Sequence, residues 1–192
     1  MPGALKAALE DLLRARQLQA DAPPLRGEDL RQSGVRTGIA AIDQLLGGGF
    51  PRGEVSEVHG PSSSGRTALV FSLVGRSTAA GSLCAWVDAA DRLDPASAAA
   101  AGVDLQRLLW LRGAQSGRGV AESISAAATL LGAGLFEVVV LDLVGMTAGD
   151  LQRLPGSTWI RLQRTVRDSP TALVLLAPAH TARSAGGVSL EL

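Results

Sequence analysis

The 192-residue chain balances eighteen basic residues against eighteen acidic ones, which excludes a uniformly cationic nucleic-acid binder and leaves any such contact to a local patch. At 46% hydrophobic and 19% charged residues it has the composition of a folded globule, and its length suits one main domain. The single cysteine, Cys84, excludes an internal disulfide framework and a cysteine-rich zinc site.

The first residues, MPGALKAALEDLLRARQ, mix Lys6, Glu10 and Asp11 among leucines, unlike a signal peptide. No apolar run reaches the ~18 residues a membrane span needs, so the expectation is a cytoplasmic protein. Leu5, Leu9, Leu12 and Leu13 recur at helical spacing and predict a helix over residues 4–18. Pro23 and Pro24 end it and open a polar connector. The chain therefore divides into a helical arm with linker, 1–36, and a core, 37–192. The arm has two readings: a helix folded back on its own core, or one that docks on a partner subunit through Leu5, Leu9 and Leu12.

From Thr37 the text alternates between strand and helix. VSEV at 55–58 reads as a strand, followed by a Gly/Ser loop and a helix over 65–79. Apolar strands follow at 83–88, 108–111, 136–142 and 171–177. Helices are predicted after Pro95, over 120–131 and around 158–168, with 188–192 as a short edge strand. Continuous apolar strands alternating with helices call for a mostly parallel sheet covered on both faces, an α/β fold.

GPSSSGRT at 60–67 follows a strand and opens a helix, the setting a phosphate loop requires. There the glycines let backbone N–H groups converge on an anion, and the helix N-terminus adds partial positive charge. The Thr67 hydroxyl is placed to ligate Mg²⁺, and Asp142, ending FEVVVLD, to support that ion. Gly60, Ser64, Gly65, Arg66, Thr67 and Asp142 are thus the candidate cofactor-binding set. Arg66 stands where such loops carry Lys, and its wide planar guanidinium suits the slot between β- and γ-phosphates poorly.

His59 and His180 read as hydrogen-bonded structural histidines, with no further ligands to complete a metal site. Cys84 reads as an inert core thiol. GGGFPRG at 47–53 is a turn cluster, since no helix follows it, and residues 112–119 form a crossover loop. In the helix around 158–168, Trp159, Leu162 and Val166 share a buried face, while Arg161, Arg164 and Arg167 lie on the solvated side as candidate DNA-backbone contacts of modest, salt-sensitive affinity.

The stretches TGIAAIDQLLGGGFPRGEVSEVHGPSSSGRT, LCAWVDAADRLDP, AAGVDLQRLLWL and FEVVVLDLVG, taken in order, resemble the core of the RecA recombinase family from about residue 37 to 177. The resemblance implies a RecA-like phosphate-loop core, preceded by a helix, with ATP on the loop. It also places the general-base Glu on Ala90, the adenine-stacking aromatic on Ser97, and the Asn-Gln nucleotide sensor on Ala177 and Pro178. A small RecA-like chain with these losses resembles the ImuA group. That implies a non-enzymatic accessory protein in damage-induced translesion synthesis, with an ImuB-type relative of Y-family polymerases as partner. RecA and a replicative-type polymerase are further candidates, and self-association is left open. On this reading no cofactor is required, and at most ATP or ADP with Mg²⁺ binds weakly. The alternative is a DNA-stimulated ATPase or recombinase paralogue in which Arg66 replaces Lys and Asp91 serves as base.

Overall fold

The computed structural model describes residues 7, 11, 14, 34–113, 119–167, 169–182 and 187–192. In the arm, Ala7, Asp11 and Arg14 are helical and exposed, with Arg14 Nη1 3.1 Å from Asp11 Oδ1. Leu5, Leu9 and Leu12 lie outside the described residues, as do 114–118 of the predicted crossover loop.

The core runs α1 (Ala40–Leu45), β1 (Val55–His59), α2 (Arg66–Ala79), β2 (Cys84–Asp88) and α3 (Pro95–Ala100). A 3₁₀ turn (Leu105–Arg107) then leads to β3 (Leu108–Arg112), α4 (Gly119–Ala133) and β4 (Val138–Asp142). The chain closes with α5 (Ala148–Gln152), α6 (Gly156–Val166), β5 (Ala172–Ala177) and β6 (Ser189–Glu191). The strands form one sheet in the order β3-β2-β4-β5-β1-β6, and every pair is parallel. The predicted α/β fold with helices on both faces is the observed one.

Strand alternation builds two apolar layers. Ala85, Val87, Val139, Leu141, Leu173 and Leu175 pack beneath α4 and α6, with Ile124, Leu131, Trp159 and Leu162 as the main helix contributions. Cys84, Trp86, Val138, Val140, Val174 and Leu176 face α2, against Leu69, Leu73 and Val74. Both sheet faces are therefore buried, as runs such as VVVL require.

Two helices escape the sequence pattern because they are one turn or so long. In α1, the Asp43 carboxylate accepts from Thr37 N (2.7 Å), Thr37 Oγ1 (2.8 Å) and Gly38 N (3.1 Å), fixing the turn from below. In α5, Thr147 and Asp150 form a reciprocal capping box. The strand predicted over 136–142 starts at Val138, and the last long helix ends at Val166 rather than near residue 168.

Candidate functional site

The loop after β1 bends through left-handed backbone at Gly60 (φ 151°), Ser63 (φ 64°) and Gly65 (φ 93°) before α2 begins. Gly60 is obligatory twice over, because a Cβ there would sit 2.3 Å from the carbonyl oxygen of Leu192. α2 has no side-chain cap at Gly65, so its first N–H groups are left for a ligand or solvent. The backbone of a phosphate loop is present, and Thr67 sits half-buried in the first turn of α2.

The side chains are committed elsewhere. Arg66 is buried and its Nη1 donates to the carbonyl oxygens of Gly60 and of Pro61, the latter at 2.8 Å. Its charge is thus spent on the loop's own backbone, while Arg66 Nε and Ser64 Oγ are buried without a partner. Asp142 ends β4 with one oxygen accepting from the Trp86 indole (3.2 Å) and the other from Val144 N (2.9 Å). Burial pushes its carboxyl up to about 7, the Val144 amide opposing and neighbouring Asp88 adding to the rise.

Asp88 is the register partner of Asp142 on β2 and is fully buried. It accepts from Arg92 N (2.9 Å), Leu93 N (2.7 Å) and the Trp110 indole (3.2 Å). Each of these two carboxylates is therefore held by an indole from the neighbouring strand, two residues back. Sequence reading found Asp142 but missed this ladder. Its signal is faint: Trp at 86 and 110 and Asp at 88 and 142 sit on the same strand faces, yet only the pairing β3-β2-β4 brings them together.

Beyond β2, Ala90 lies in a turn against Gly145, where a Cβ would come 3.2 Å from that of Ala90. Asp91 is held in left-handed backbone (φ 54°) and accepts two bonds from the Arg112 guanidinium, at 2.6 and 2.7 Å. The Arg112 hydrogen bonds hold its carboxyl below the usual carboxylate range. Asp94 caps α3, accepting from Ala96 N and Ser97 N, and the Ser97 hydroxyl joins the same cap.

On the other face of β1, Glu57 is a buried acid the sequence reading passed over. It accepts from Thr181 N (2.6 Å) and Ala182 N (3.2 Å), with His180 Nδ1 at 2.8 Å, so it pins the segment after β5. His59 Nε2 lies 3.2 Å from Ser189 Oγ. Both histidines are hydrogen-bonded, and among the described residues no cluster of three or more His, Cys, Asp or Glu is able to hold a metal ion. Cys84 is buried, and burial pushes its thiol far up. Arg161 and Arg164 are exposed on α6, and Arg167, predicted on the same helix, is exposed just past its end at Val166. No described helix is long and apolar enough to cross a membrane.

A family model of the RecA N-terminal domain matches residues 24–151. Protein RecA of Lactobacillus delbrueckii subsp. bulgaricus is 38% identical over 144 residues, covering 72% of this chain and 42% of that protein. Protein RecA of Acidothermus cellulolyticus is 33% identical over 154 residues, covering 79% and 44%. The chain spans less than half the length of these curated relatives. Among solved structures, the RadB recombinase superposes with a TM-score of 0.59 at 22% identity, over 74% of this chain and 69% of that one. That likeness is one of fold.

Proposed function

This chain belongs to the RecA family, and from that membership we propose that it is a non-enzymatic, ImuA-like accessory protein of damage-induced translesion synthesis. On this reading it presents a RecA-like core to an ImuB-type polymerase relative and does not turn over ATP. What carries it is that Ala90, where the resemblance puts the family's general base, has no free acid beside it. Asp88 is saturated by two amides and an indole, and Asp91 is tied to Arg112. Loss of a positioned base costs roughly 10²–10⁴ in rate, or about 3–5 kcal/mol of barrier. Arg66 on the loop carbonyls and Asp142 under Trp86 support the same reading, since neither is poised for a γ-phosphate or its Mg²⁺. The residues present thus fit Mg·ATP poorly, although the loop backbone retains its shape.

Steady-state phosphate release with single-stranded DNA tests the proposal. No turnover above background is expected, and Asp142→Ala should change nothing. Turnover abolished by Asp142→Ala would establish the DNA-stimulated ATPase instead. Co-purification with an ImuB-type relative, unaffected by nucleotide, is the positive expectation.

A further inference from the structure

Apart from Asp88 and Asp142, Glu57 is the only acid buried among the described residues, with its side chain 2% exposed. It stands on β1, between β5 and β6. Its Oε1 holds the Thr181 and Ala182 amides, whereas Oε2 is buried and makes no hydrogen bond. A carboxylate oxygen left in that state is costly unless a positive charge balances it. No arginine among the described residues pairs with Glu57; what faces Oε2 is the His180 imidazole, with Nδ1 at 2.8 Å.

The His180 side chain is 54% exposed, so its proton exchanges directly with solvent. The other titratable groups around it come from β1 and β6. The ring centroid of His59 is 5.4 Å away, and Glu191 is exposed on β6 in register with His59. Ser189 Oγ lies between the two imidazoles, 3.4 Å from His180 Nδ1 and 3.2 Å from His59 Nε2. Two imidazolium rings at that spacing repel, and of the two it is His180 that touches the carboxylate. Residues 178–182 carry little else to hold them. Among the described residues, every hydrogen bond tying this segment to the sheet ends on Glu57 or Ser189. Its far end seats Ala182, 1% exposed, in the apolar layer under α4 and α6.

We propose that Glu57 and His180 form a pH-sensitive latch. While His180 carries its proton, the ion pair fastens residues 178–182 to β1; when the proton leaves, the segment opens and lifts Ala182 from the apolar layer. Closure is therefore favoured in acid and lost as pH rises through the range in which histidine changes charge. The latch needs neither a partner nor a ligand on the phosphate loop, so it stands apart from the accessory-protein reading. Amide hydrogen exchange of the full chain at about pH 5.5 and about pH 8, on either side of that range, tests it. Protection of the Thr181 and Ala182 amides, corrected for intrinsic exchange and taken relative to Val139 and Val140 of β4, should fall severalfold from the lower pH to the higher. His180→Asn, which carries no titrating charge, should hold that protection at the lower value at both. Glu57→Gln, which keeps an acceptor for the two amides and removes the buried charge, should show no pH dependence either. Equal protection at the two pH values in the parent would overturn the proposal. So would a fall that survives in His180→Asn, which would move the response to His59.

Discussion

Asp142 is where a single residue separates the two functional readings. An acid whose folded pKa is raised keeps, between about 4 and 7, a proton that the unfolded chain has already released. With Asp142 pushed up to about 7 by burial, its contribution to stability is therefore largest in acid and is lost as pH rises through 7. Between pH 5 and pH 8 the loss is about 2–3 kcal/mol. Asp142→Asn should flatten that slope while keeping an acceptor for Val144 N, and at pH 8 it should be at least as stable as the parent. Urea unfolding of both proteins across the range, compared pairwise so that groups common to both cancel, measures the difference. Equal slopes would mean a charged, solvated Asp142 suited to a metal ion. The sequence identified this residue by an acid ending an apolar strand. It could not show the Trp86 indole, because a cross-strand partner depends on which strands pair. Glu57 was hidden for a related reason: VSEVH holds only two apolar residues, three positions apart, and only the segment after β5, folding over it, makes that carboxylate a buried anchor.

Among the elements, α6 shows how far periodicity reaches. Its buried stripe of Trp159, Leu162 and Val166 was legible from spacing alone, and the structure places all three against the sheet layer it shares with α4. What spacing could not supply is Gln163, which accepts from Val55 N at 3.2 Å and donates to Glu54, stitching the helix to the start of β1. The short elements α1 and α5 were missed because five or six residues hold too few apolar positions to define a period. They exist through side-chain bonds to the backbone, from Asp43 in one and the Thr147–Asp150 box in the other. The division of labour on α6 is testable by substitution. Leu162→Ala, which empties a fully buried site, should cost about 2–5 kcal/mol in chemical unfolding. Arg161→Ala and Arg164→Ala, exposed, should each stay within about 0.5 kcal/mol. If the arginine changes cost as much as the leucine change, the outer face is structural and cannot be a free surface for DNA or protein.

For the whole molecule, the question is what stabilises the phosphate loop. The resemblance to recombinases places a nucleotide there, and a nucleotide that binds only the folded state stabilises it by mass action. At a hundredfold excess over its dissociation constant the gain is about 2.7 kcal/mol, which in a domain of this size shifts the unfolding midpoint by roughly 5–10 °C. In this chain internal bonds already do that work. Arg66 bridges the carbonyls of Gly60 and Pro61, Leu192 N donates to His59 O at 3.0 Å, and β6 closes the sheet beside β1. Millimolar ATP with Mg²⁺ is therefore expected to leave the midpoint unmoved, in the parent and in Asp142→Ala alike. Arg66→Ala should lower the midpoint of the free protein, since the buried Gly60 carbonyl loses its donor, at about 1–3 kcal/mol, and ATP should not restore it. A nucleotide-dependent rise of several degrees that disappears in Asp142→Ala would show instead that the loop reopens for its ligand, and the internal bonds would then be a resting state of a working site.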